Sequence, residues 1–326
     1  MPRASKQMPD WEPSATLETL KRRAQLIAGV RAFFYEQGVL EVDVPCLVKT
    51  AVTDVNVESF TVLSVVNKTA PAYYLATSPE YYLKRLLSSG SGPIYSLCKV
   101  FRDEPDGRFH QPEFTLLEWY RPGFDEQMLM DEMLALLRQF NPDWSAERIS
   151  YGDLFENTLG FDPHSAPIEV LRDCAHRFID LHDDEKWGRD DYLDLLMSHL
   201  FQPQMQGLVF VYDYPESQAA LARLTDDEKG RRVARRFELY CDGVELANGY
   251  YELKDSKEQK KRFLRDNRQR KERGLPTHSI DGELLAALDA GLPDCSGVAM
   301  GVERLLMALL QKEDIGEVVA FALHRQ

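Results

Sequence analysis

Residues 236–253, RFELYCDGVELANGYYEL, constrain this chain more than any other stretch. Two strand-like runs are separated by Asp242-Gly243, a two-residue signal for a tight hairpin. Such a turn predicts a register: Cys241 opposite Val244, Tyr240 opposite Glu245, Glu238 opposite Ala247. Glu238 and Glu245 then share a face as diagonal neighbours. Two carboxylates this close repel unless a proton or a cation lies between them. Mg²⁺ suits the pair, because it takes one or two carboxylates and completes its shell with substrate phosphates. Glu252, beyond Glu245, falls on the opposite face of a regular strand, and a bulge at Asn248-Gly249 would bring it back. The competing reading is a solvated acidic strand. Leu239, Tyr240, Leu246 and Tyr250 argue instead for a strand pair buried on at least one side.

A second hairpin is longer. IYSLCKVF and FTLLEWY flank the polar stretch RDEPDGRFHQPE. Arg102 ends the first strand and needs an anionic partner if it is partly buried. Glu118 and Tyr120 stand on the returning strand. Elsewhere, Leu20, Ala24, Ile27 and Phe34 predict a helix over 16–37 that Gly38 stops. VLEVDVP and AYYLATS read as strands. In SPEYYLKRLL, Ser78 is a helix cap, Pro79 fits the first helical position and Glu80 the first turn. Residues 125–201 read mostly as helix, and LVFVYDY returns to strand. Asp255 and Glu258 open a charged helix that runs to Arg273 and ends at Gly274. SGVAMGV is a strand and ERLLMALLQ a helix. Strands arrive as hairpins rather than alternating one by one with helices, which predicts an α+β fold with an antiparallel β-sheet flanked by helices. The 326 residues hold no repeat and no long linker. They read as one large domain over 16–326, preceded by a Pro-rich mobile arm at 1–15.

Charge limits the partners. The chain has a formal net charge of -14, which argues against broad binding to nucleic acid. The helix after Asp255 is the exception, with nine Lys or Arg against three acids, a net of +6 that leaves -20 elsewhere. It reads as a solvated helix face. No stretch has the apolar length of a membrane span. The five cysteines are scattered, without CxxC or zinc spacing, and read as reduced thiols of a cytoplasmic protein.

Three segments fall in an informative order: VLEVDVP ending in Pro45, FRDE followed by a loop with His110 and Phe114, and GVERLLM with Arg304. Together they resemble the three motifs of class II aminoacyl-tRNA synthetases. SPEYYLKRLL, RFHQPEFTLLEWY and ELANGYYELKD are similar to the catalytic core of lysyl-tRNA synthetases, from about residue 17 to the end. The anticodon-binding OB domain of those enzymes is expected to be absent, since only a short arm precedes the first helix. ELANG, PDCSGVAMGVERL and the length resemble a core-only branch of the family. That branch attaches (R)-β-lysine to a lysine of elongation factor P.

The resemblance implies ATP and Mg²⁺ as cofactors, an aminoacyl-adenylate intermediate, and a homodimer built through the Pro45 region. It implies elongation factor P, not tRNA, as acceptor. Arg102 bridges the substrate carboxylate and the α-phosphate, and Arg304 works on the γ-phosphate side; these are the expected catalytic residues. ATP is expected to meet Arg102, Asp103, Glu104, His110, Gln111, Phe114, Glu245, Leu246, Gly301 and Arg304, with adenine between Phe114 and Arg304. Glu238 and Glu245 are the expected metal ligands. The amino acid is expected at Ser78, Glu80, Glu118, Tyr120, Asn248, Glu252 and Ala299. Glu80 and Glu118 face the amino group nearer the carboxylate, and Tyr120 and Glu252 the distal ammonium. Gln111 replaces the usual Asn, and Ala299 the usual Gly. By residue type alone, Phe114 reads as core, Arg304 equally as a surface residue, and Glu80 as a first-turn acid favoured by the helix dipole. A lysine-charging tRNA synthetase, a non-catalytic amino-acid-binding relative and an asparagine synthetase of the same fold are the competing functions.

Overall fold

The computed structural model describes residues 11–182, 184 and 186–323. Helix α1 (Leu17–Glu36) is capped by Thr16, whose hydroxyl accepts from the Thr19 N–H, and Gly38 beyond its end takes φ +65. Short strands follow: β1 (Leu40–Glu41), β2 (Leu47–Val48), β3 (Thr61–Val62) and β4 (Tyr73–Leu75). VLEVDVP is therefore a strand over only two residues. Next come α2 (Glu80–Ser88), β5 (Ile94–Phe101) and β6 (Glu113–Pro122). The middle of the chain holds α3 (Glu126–Arg138), β7 (Ala146–Ser150), α4 (Tyr151–Leu159), α5 (Ile168–Phe178) and α6 (Arg189–Leu196). The β7 strand interrupts the helical reading of that region. The last third holds β8 (Leu208–Pro215), β9 (Leu224–Asp226), β10 (Arg232–Cys241), β11 (Val244–Tyr251), α7 (Ser256–Glu272), α8 (Gly282–Gly291), β12 (Cys295–Gly301) and α9 (Val302–Leu310).

The main sheet runs β1-β5-β6-β12-β11-β10-β8-β7, with β9 beside β10. It is antiparallel except at its two ends, where β1–β5 and β7–β8 are parallel. The predicted α+β class with a helix-flanked antiparallel sheet is therefore found, and strand alternation explains it. On β6, Leu117 and Trp119 join Val298, Met300, Phe237 and Leu239 in a core closed by α1, α3 and α9. The residues that alternate with them, Glu118 and Tyr120, face the opposite side, where a cleft opens.

Three expectations need correction. The arm at 1–15 lies mostly outside the described residues, and its last part is anchored. The N–H groups of Ser14 and Ala15 donate to the Ala320 and Val319 carbonyls at 2.7 and 3.2 Å, and Ala15 is buried. In the β10–β11 hairpin the register slips after Tyr240–Glu245, so Glu238 faces Asn248, not Ala247. The extra residue is Leu246, not the Asn248-Gly249 pair, because Leu246 and Ala247 both pack into the core. The basic helix α7 is not solvated throughout. Arg262 and Arg270 are buried, and Arg270 donates to the carbonyls of Pro276 and Asp54 at 2.6 and 2.7 Å and pairs with Glu58.

Candidate active site

The cleft over the sheet has a volume of about 1110 Å³. Its floor is a register row running across four strands: Glu118 pairs with Ala299, Ala299 with Asn248, and Asn248 with Glu238. A second row sets Tyr120, Gly297, Tyr250 and Arg236 side by side. Side chains two residues apart on a strand share a face, so two strand pairings suffice to gather the polar groups. The bulge at Leu246 puts Glu245 and Asn248 on this same cleft side. The face expected for Glu245 thus holds, although the bulge lies earlier in the strand.

At one end of the cleft the acids are buried. Glu118 accepts the Ser78 hydroxyl at 2.7 Å and the Tyr120 hydroxyl at 2.8 Å. Ser78 also accepts the Glu80 N–H at 2.9 Å, but α2 starts at Glu80 with Pro79 in the cap position, one residue later than expected. Burial and then the nearby Glu80 push the Glu118 carboxyl up to about 8. Glu252 is fully buried and does not line the cleft. Lys84, itself buried, places its ammonium 2.6 Å from Glu252 and 2.6 Å from Glu80. Burial opposes the charge on Lys84, but Glu252 and Glu80 outweigh it and hold its pKa above the usual lysine range. Glu252 rises to about 7, pushed by burial and held back by Lys84. Its Oε1 has no hydrogen-bond partner. Glu252 was expected at the distal ammonium, but here the chain supplies an ammonium of its own, because a buried carboxylate requires a counter-charge. Lys84 was missed in the sequence because a Glu four residues before a Lys reads as an ordinary surface pair.

At the other end the cationic groups collect. Arg102 and Glu104 line the cleft. The Arg102 guanidinium lies over the Phe114 ring, 5.1 Å from its centroid, and its buried Nε has no partner. Arg304 is held by three acceptors: the Phe109 carbonyl at 3.2 Å, the Glu245 carbonyl at 2.8 Å and His110 Nε2 at 2.8 Å. Burial and the Arg304 charge depress the His110 pKa, which keeps Nε2 free to accept. Gln111 lines the cleft, but its Oε1 accepts the Leu323 N–H at 2.9 Å. Leu246 turns its side chain into the core, which leaves its backbone for a ligand. Gly301 lies at the start of α9, within the lining. Asp103 does not line the cleft; it is exposed, and its N–H donates to the Glu58 carbonyl at 2.9 Å. Unpartnered atoms such as Arg102 Nε and Asn248 Oδ1 are what a polar ligand would satisfy.

The expected metal pair is half prepared. Glu245 has one weak ionic contact, to Arg304 at 3.9 Å, and burial plus nearby Glu238 raises its pKa. Its carboxylate fits Mg²⁺. Glu238 is buried and already accepts the Tyr214 hydroxyl at 2.6 Å, the Tyr240 hydroxyl and the Arg236 guanidinium. It fits only by exchanging one of these donors. Among the described residues no group of three or more His, Cys, Asp or Glu side chains could hold a metal alone. A metal here needs oxygens from a substrate.

A family model described as tRNA synthetases class II (D, K and N) matches residues 3–325. The elongation factor P--(R)-beta-lysine ligase of Hamiltonella defensa is 47% identical over 322 residues, 97% of this chain and 98% of that protein. The protein of the same name from Edwardsiella ictaluri is 48% identical over 324 residues, 98% of this chain and 99% of its own. That from Klebsiella pneumoniae is 46% identical over 325 residues, 97% of this chain and 98% of its own. The chain belongs to the class II tRNA synthetase family, in the group of the elongation factor P–(R)-β-lysine ligases.

Proposed function

We propose that this chain is an ATP-dependent ligase that joins (R)-β-lysine to one lysine of elongation factor P in the cytoplasm. One observation carries the reading: a deep cleft with buried acids at one end and two arginines at the other, in a chain that matches ligases of that name along their length. Buried carboxylates suit the two ammonium groups of a diamino acid. Arginines suit a carboxylate and a triphosphate.

Two steps follow. The β-lysine carboxylate attacks the α-phosphate of ATP, forming the adenylate and releasing pyrophosphate. The acceptor amine then attacks the adenylate carbonyl, and AMP leaves as the amide forms and the amine loses a proton. Arg102 draws the two anions of the first step together and offsets the charge that builds between them. Arg304 acts on the phosphate side, held ready by Phe109, Glu245 and His110. Phe114 and Glu104 receive the adenine, and Ala299 narrows the wall between Glu118 and Asn248. Mg²⁺, held by Glu245 and phosphate oxygens with Glu238 beside it, would neutralise the triphosphate. Among the described residues no helix is long and apolar enough to cross a membrane.

The test is mass spectrometry of elongation factor P after incubation with the enzyme, ATP, Mg²⁺ and (R)-β-lysine. One lysine should gain a β-lysyl group that survives alkali. Equal, alkali-labile transfer to tRNA would restore the synthetase reading, since an ester is cleaved where an amide persists.

A further inference from the structure

We infer that Lys84 is a specificity-determining residue of the amino-acid pocket: an internal ammonium that sets the pocket's charge to match two substrate ammoniums and positions the acids at both ends. The inference rests on the reading of the cleft as a diamino-acid site. Lys84 is 1% exposed and lies on α2, with its ammonium 2.6 Å from both Glu80 and Glu252. These partners come from different elements, one on the same helix and one just after β11. Glu80 is the acid expected near the amino group beside the carboxylate, and Glu252, buried directly behind the Gly297 part of the lining, the one expected at the distal end. One ammonium therefore ties the two ends together.

Charge explains why the pocket needs it. Glu80, Glu118 and Glu252 supply three negative charges when ionised, and Lys84 returns one. The net of two negatives equals the two ammoniums of a diamino acid, whose carboxylate is left to Arg102. Without Lys84 one negative charge stays uncompensated in a dry site, and one acid must take up a proton instead. The other ionisable groups near this cluster include Tyr81 on α2, Cys98 on β5, Tyr120 on β6, Tyr250 on β11, Cys295 on β12 and Arg223. Of these only Arg223 is cationic, and it is drawn off by Asp294 at 2.6 Å. Packing fixes the arrangement. A side chain added at Gly297 would meet the Tyr120 ring and come within 2.7 Å of Glu252 Oε1.

The test is a double-mutant cycle read by calorimetry of (R)-β-lysine binding and by its pH dependence. Wild-type binding of the diamine is measured first, and its absence would overturn the diamino-acid reading itself rather than the role of Lys84. Lys84→Met should weaken binding at least about tenfold at neutral pH, as for loss of a buried charge partner, and should move the pH at which binding becomes half-maximal upward. Glu80→Gln alone leaves one negative charge too few and should also weaken the diamine. The double variant Lys84→Met/Glu80→Gln regains the wild-type net charge and should bind the diamine more tightly than either single variant. A residue that merely fills space predicts the opposite, with the two losses adding. Should Lys84→Met unfold, the comparison of the double variant with Glu80→Gln still decides: a double variant no tighter than Glu80→Gln, or one that does not fold, overturns the inference.

Discussion

Burial raises Glu118 from an ordinary carboxyl to about 8, which favours its protonated form at neutral pH. The folded state then binds a proton that the unfolded chain releases above about 4.5, and the contribution to stability falls as pH rises from that value to about 8. Glu118→Gln should therefore melt at a higher temperature than the wild type at pH 9, with the difference shrinking towards pH 5. Scanning calorimetry without ligand checks this, and equal midpoints at pH 9 would contradict it. A substrate ammonium reverses the preference, so affinity for the diamine should climb between about pH 6 and 8 as ionised Glu118 becomes accessible. Arg102 belongs to the same scale. It is only partly buried, and its known contact is with the Phe114 ring. Arg102→Ala should leave the melting curve near that of the wild type and slow ATP–pyrophosphate exchange by about 10²–10³-fold. Exchange near the wild-type rate would remove Arg102 from the chemistry.

Among the elements, α7 carries the clearest structural demand. Its Asp255 cap accepts from the N–H groups of Lys257 and Glu258. Arg270, at its far end, reaches the backbone of residues 54 and 276 and the Glu58 carboxylate. The helix thereby holds a loop that lines the cleft at Asp54 to Val57. Arg270→Ala leaves buried carbonyls and Glu58 without their cation, so it should cost roughly 3–5 kcal/mol. Urea denaturation measures that loss, and a change under about 1 kcal/mol would mean that the contacts exchange freely with water. Strand β11 makes a second demand. A methyl at Gly249 would lie 2.5 Å from the Phe237 ring. Gly249→Ala should destabilise by about 1–3 kcal/mol through overpacking.

At the scale of the whole molecule the expected assembly is a two-fold dimer through the Pro45 region. Tyr35, Leu40 and Leu47, which flank Pro45 in the sequence, expose large apolar side chains, and β1 forms one end of the main sheet. Such residues suit a self-complementary contact. Light scattering at micromolar concentration should give twice the mass of the 37.4 kDa chain. Leu40→Glu should shift it to a monomer, and a wild-type monomer would sink the proposal.

What the sequence determined is mostly local. Asp242 and Gly243 take φ +47 and +79, as a two-residue hairpin turn requires. Ser78, Thr16 and Asp255 accept backbone N–H groups at or near their helix starts, and Gly38 and Gly274 adopt positive φ at the stops. These choices depend on atoms within a few residues, so the chain states them openly. The gathering of Arg102, Glu118 and Asn248 into one cleft was expected from the resemblance alone, and the pairing of three strands is what sets Glu118 and Asn248 on either side of Ala299. The tertiary structure alone decided where the β11 bulge falls, since Leu246 and Ala247 compete for core contacts made by distant segments. It also turned Lys84 and Arg270 inward. A lysine on a helix has the same local pattern whether its ammonium meets water or a carboxylate from the other end of the chain. Only the burial of Glu252 against α2 makes that ammonium part of the site.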